Sequence, residues 1–177
     1  MFRSKQNGVA LFISLVLLLV LTIIGISSVQ TTSLEVRMTR NEHDSMLAFQ
    51  AAESALRDAE AQLEGVTSLA NFTDTGDNGR YNVADLGDPE HYLDPNVWDA
   101  ANSQQAPTNV LGVAEQPRFI IEHMASILRE ENAYQQTDPY GASATDRIDI
   151  FRITARGVGG STNSRVLLQS SYGRILE

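Results

Sequence analysis

Cysteine is missing from all 177 residues of the chain. That absence excludes a disulfide framework, a thiolate zinc site and a cysteine nucleophile. Proline is scarce, with five in all, and none lies between Val9 and Glu64. In that span the only glycine is Gly25, so little there interrupts a helix. Basic residues are in deficit, 13 against 22 acidic ones, for a formal charge of −9. A nucleic-acid partner normally requires a basic surface, so none is expected. The three histidines, His43, His91 and His123, lack metal-ligand spacing. No G-x-S-x-G, H-E-x-x-H or phosphate-loop pattern is present, and "GVGG" reads as a turn between two strands. No catalytic constellation, cofactor or metal site is expected.

What is there begins with an apolar run. Val9 to Val29 carry no charge, and the next charge after Lys5 is Glu35. About 20 apolar residues cross a bilayer as a helix. Arg3 and Lys5 would hold the preceding end in the cytoplasm. Ser27 and Ser28 would suit the far end of a secretory signal, but the run is long for one.

The helical pattern continues beyond the run. Phe49, Ala52, Leu56, Ala59 and Leu63 are spaced three and four apart and form one apolar stripe. Glu53, Arg57, Asp58, Glu60 and Glu64 lie off it, and Glu53 and Arg57 are placed to pair. The stripe has barely two heptads, so it reads as a core face resting on a sheet and not as a coiled coil. Gly65 ends the pattern. One helix over 9–64 would be roughly 84 Å long at 1.5 Å per residue.

Residues 65–117 are polar and rich in turn formers. One short helix is expected over 97–102, with Asp94 as cap and Pro95 in its first turn. Trp98 is expected to cover the apolar face of the long helix. "DTGDNGRYNVAD" places Asp74, Asn78, Gly79 and Asp85 at calcium-loop positions, but Gly76 stands where a ligand is needed; a solvated loop is the better reading. Strands are expected over 118–124, 148–156 and 165–174, the last two joined by "GVGGSTNS". Alternation of Phe151, Ile153 and Ala155, and of Val166, Leu168, Ser170 and Tyr172, gives one face for the helical stripe. The fold class is α+β, one long helix packed by a small antiparallel sheet, and the length suits one domain.

These residues resemble a known family. A basic leader ending in glycine before an apolar helix resembles a type IV prepilin. "NGVALFISLVLLLVLTIIGISSVQTTSLE", followed by "NEHDSMLAFQAAESALRDAE", is similar to the N-terminal region of PilX-type minor pilins. "FRITARGVGGSTNSRVLLQSSYGR" is similar to that group's closing hairpin. The resemblance covers about residues 4–64 and 117–175.

It implies a pilin fold laid out as leader 1–8, filament-core helix 9–29, amphipathic continuation 30–64, irregular region 65–117 and sheet 118–177. It implies that the prepilin peptidase cuts after Gly8 and that Val9 becomes an N-methylated terminus, where major pilins commonly have phenylalanine. Loss of Arg3 and Lys5 with the leader takes the charge from −9 to −11. Five residues into the mature chain most pilins carry glutamate, thought to neutralise a neighbour's terminal amine, and this chain has Ile13. The same gap occurs in the K-type pseudopilin of type II secretion, which points to a place at or near a filament tip. The implied partners are other minor pilins, the major pilin, the prepilin peptidase, the inner-membrane assembly machinery and a tip adhesin. The implied location is the inner membrane with a periplasmic head, then the extracellular pilus, which serves twitching motility, cell adhesion or DNA uptake. Two alternatives stand beside this reading. One is a type II secretion minor pseudopilin. The other, of a different class, is a single-pass anchor displaying a periplasmic binding or sensory domain.

Overall fold

The computed structural model describes residues 9–128 and 147–176. Helix α1 runs from Val9 to Glu64 without a break. The chain divides into two compact units, Met1–His43 and Asp44–Glu177.

The described part of the first unit is α1 alone up to His43. Every large apolar side chain from Val9 to Val29 is exposed, and the helix is long and apolar enough to cross a membrane. Three hydroxyls of the run are satisfied within the helix. Ser14 donates to the Leu11 carbonyl at 2.8 Å, Thr22 to Leu19 at 2.7 Å and Ser28 to Ile24 at 3.0 Å. These three hydroxyls then need no water, as lipid requires.

The second unit holds the rest of α1 and a five-stranded sheet. Its strands are β1 (Arg80–Asn82), β2 (Gln104–Gln105), β3 (Arg118–Leu128), β4 (Arg147–Val158) and β5 (Arg165–Arg174). The order is β1-β3-β4-β5, with β2 also on β3. The sheet is mixed, a correction to the antiparallel expectation, because β1 lies parallel to β3. β1 and β2 also fall outside the expectation: strands of three and two residues are too short to show a period of two. The register steps at a bulge between His123 and Ala125.

Alternation along β3 and β4 separates two cores. Phe119, Ile121, Phe151, Ile153 and Ala155 face α1 and meet Ala55, Ala59 and Leu63. Ile120 points the other way and is covered by Tyr81, Val97 and Trp98. Trp98 is therefore on the back of the sheet and not on the helix. It is carried there by a 3-10 turn over Pro95–Trp98, which is shorter and earlier than the expected helix. Asp94 caps that turn, accepting from the Asn96 backbone N–H at 2.9 Å. Residues 65–117 thus serve both faces: Tyr81, Val97 and Trp98 cover the second, while Val66, Phe72 and Ala106 join the core under α1.

Candidate functional site

The candidate site has two parts: the uncharged run of α1 and the seat of the sheet on α1. Gly8 lies outside the described residues. Val9 opens α1 with 64% of its surface exposed, and Ile13 is 52% exposed one turn later. Ile13 shares this stretch with Leu11, Phe12 and Leu15, and no side chain in it carries charge. It presents an apolar branch where a carboxylate would be the sole ionisable group.

The seat is made of alanines. Ala48, Ala51, Ala52, Ala55, Ala59 and Leu63 are fully buried. Leu56 is half-buried at the margin of the core. Phe49 departs from the expected stripe, with 48% of its surface exposed. It lies about 100° round the helix from Ala48, and the buried face is centred on the alanines. The three-and-four spacing marks the helix but aims its face to one side.

Glycine explains why small residues are needed. A Cβ built on Gly157 would fall 2.0 Å from the Ala48 carbonyl oxygen and 2.4 Å from the Ala52 nitrogen. One on Gly159 would fall 2.5 Å from the Asp44 carbonyl oxygen. Strand backbone thus touches helix backbone. Gly157 and Val158 belong to β4, so the glycine-rich stretch expected as a turn starts within the sheet. The sequence carries the signal as alanines three and four apart opposite a strand glycine, but Phe49 and Leu56 give the stronger hydrophobic pattern beside them.

Carboxylates on α1 fasten the surrounding loops. Asp44 accepts from the Ser161 backbone N–H at 3.1 Å and from its hydroxyl at 2.6 Å. Asp58 accepts from the backbone N–H and hydroxyl of Thr108, both at 2.9 Å. Glu60 accepts from the Ser170 hydroxyl at 3.1 Å. Arg174, on β5, donates to the Leu63 carbonyl and so caps the end of α1. Asp58 and Glu60 read from the sequence only as a solvated face. Glu53 and Arg57 do pair on the surface.

Behind the sheet, Glu122 is fully buried and bound by Arg152 through two hydrogen bonds of 2.8 and 3.0 Å. The two residues are direct partners in the β3–β4 register. Arg152 also bonds Glu90 and lies 5.4 Å over the Tyr92 ring. The Glu122 hydrogen bond holds the Arg152 pKa above the ordinary guanidinium value, against burial and with help from Glu90.

No group of three metal-ligating side chains occurs among the described residues. In the loop with calcium-like spacing, Asp74 accepts from the Asn82 amide at 2.8 Å, and Asn78 takes a left-handed conformation at φ 55°. Ser126, His123 and Asp149 also lie together, but Ser126 donates to Asp149 Oδ1, the same atom that faces His123 Nε2 at 3.1 Å. The hydroxyl also lies 3.4 Å from His123 Nε2, but with its proton given to the acid it is not arranged as an activated nucleophile.

Residues 7–57 match the PilX N-terminal family. Residues 51–174 match the family described as type IV pilus assembly protein PilX, C-terminal. The chain belongs to the PilX family. The two matches overlap over 51–57 on α1 and together run through β5, so the PilX assignment covers both the apolar run and the sheet. No curated protein and no solved structure matches the chain significantly. As a PilX-family chain it is a type IV pilus assembly protein, and its apolar helix fits a membrane location.

Proposed function

We propose that the chain is a minor pilin, cut after Gly8, that enters a type IV pilus and starts or caps it at or near the tip. Ile13 is the observation that carries this reading. In the filament core a terminal amine without a carboxylate partner is costly. A subunit joining behind another would bring isoleucine and strand the amine above it. A subunit entering first avoids that cost, because the next one brings its own glutamate to Val9. On assembly α1 trades lipid contacts for helix contacts while the head packs against other heads. The partners on this reading are the other minor pilins, the major pilin, the prepilin peptidase and the inner-membrane machinery, with an adhesin at the tip.

Three measurements test it. The mature protein should begin at methylated Val9, and Gly8→Val should leave the precursor uncut, since any side chain there crowds the scissile bond. Deleting the gene should lower pilus number more than pilus length. Gold label on an epitope at the Asp85–Asp88 turn, where Leu86 is fully exposed, should mark filament ends. Label spread evenly along shafts would overturn the tip position.

A further inference from the structure

Three arginines converge at one end of the back of the sheet. Arg118 on β3 stands directly opposite Arg156 on β4. Like charges facing across strands are destabilising. Arg165, exposed, opens β5 opposite Val158. All three line one cavity of about 510 Å3 with Trp98, Asp99 and Glu115, in a chain whose net charge is −9.

The groups already present do not fully satisfy this cluster. Arg118 donates to the Ser103 hydroxyl at 2.7 Å and to its carbonyl at 2.5 Å, Arg165 Nε donates to the Thr162 carbonyl at 2.9 Å, and an Arg156 terminal nitrogen donates to Glu115 at 3.0 Å. Arg156 Nε is buried with no partner among the described residues, and its guanidinium lies 5.3 Å over the Trp98 ring. Burial lowers the pKa of both Arg118 and Arg156. For Arg156, Glu115 opposes that shift while Arg165 and Arg118 add to it. Three cations face two carboxylates, so one positive charge is left over. That balance suits one monoanionic carboxylate better than a dianionic phosphate.

A second cavity, of about 750 Å3, shares Ala100, Gln105 and Arg118 with the first, so the two adjoin. Gln62, Asn71, Asn78 and Gln104 line it, and its only apolar side chains are alanines. None of these four amides hydrogen-bonds another described side chain or backbone group. Primary amides offer donor and acceptor together, as sugar hydroxyls require. A protein segment would instead seek pockets for large apolar anchors, and this cleft has none.

We propose that the head binds an acidic glycan, with a uronate-type carboxylate held by Arg118, Arg156 and Arg165 and its hydroxyl-rich body along the amide-lined cleft. Trp98 is the chain's single tryptophan and sits under Arg156, so its emission reports occupancy.

The test titrates full-length protein in detergent micelles at constant ionic strength. The probes are a glucuronate oligosaccharide, a neutral oligosaccharide of the same length, an aspartate oligopeptide and inorganic phosphate. The expected result is a saturable change of Trp98 emission with the glucuronate oligosaccharide, at least tenfold weaker with the neutral one. Arg165→Gln, at an exposed position, should keep the melting midpoint and weaken binding at least tenfold. Gln104→Ala should weaken the oligosaccharide but not monomeric glucuronate. A linear or absent response overturns the proposal. So does equal affinity for the aspartate peptide or for phosphate, which would assign the arginines to a protein partner or to anions in general.

Discussion

A methyl group on Gly157 has no room, because the Ala48 carbonyl and the Ala52 backbone already occupy its place. Gly157→Ala should therefore push β4 off α1 and cost about 1–3 kcal/mol, as overpacking does. Denaturant unfolding of the full chain in micelles would check this, and an unchanged midpoint would show that the seat can yield. Leu63 and Phe49 make a contrasting pair. Leu63 is fully buried at the end of the seat, so Leu63→Ala should cost about 2–5 kcal/mol. Phe49→Ala, at a half-exposed site, should stay within about 0.5 kcal/mol if the head alone sets its environment. A larger loss there would mean that the ring is buried in the folded chain.

Between β3 and β4 the Glu122–Arg152 pair is held in register by the strands themselves. Arg152→Met would leave a buried carboxylate unpaired and should cost about 3–5 kcal/mol, whereas changing both residues to Met should recover most of it. Chemical denaturation of the three variants separates these outcomes. Because Glu122 raises the Arg152 pKa, the arginine stays protonated at every pH below the ordinary guanidinium value, so its own titration should add no pH dependence to stability between about pH 5 and pH 9. Tyr81, on β1, behaves differently. Its hydroxyl donates to the Asn102 carbonyl at 2.8 Å, and burial, then Asp94, Glu122 and Asp77, raise its pKa. The folded state therefore holds that proton more tightly than the unfolded chain. Its contribution is complete below about pH 10 and is lost as pH rises beyond it. Melting temperatures should fall above about pH 10, and Tyr81→Phe should remove part of that fall; an identical alkaline profile in the variant would assign it to other groups. The elements with a long period are legible in the sequence. α1 carries no proline, β5 alternates along its ten residues, and β4 alternates through Phe151, Ile153 and Ala155. The cover of the back face is not legible there: its turns are fixed by caps such as Asp94 and by long-range contacts. An apolar Trp98 fits either side of a sheet that buries apolar side chains on both.

On the proposed reading of the molecule as a pilus subunit, isoleucine at position 13 is a matter of order. Ile13→Glu should let the protein join behind others, so label now expected at filament ends should spread along shafts. An unchanged label pattern would place the cause of tip position in the head. Independently of that outcome, the hydroxyls of Ser14, Thr22 and Ser28 take their acceptors with them, each bonded three or four residues back on the same helix. On the proposed reading, these three groups have nothing to unpair when the helix leaves a bilayer and nothing to re-pair on return, so they set no bar to drawing out, dismantling and reusing the same copy.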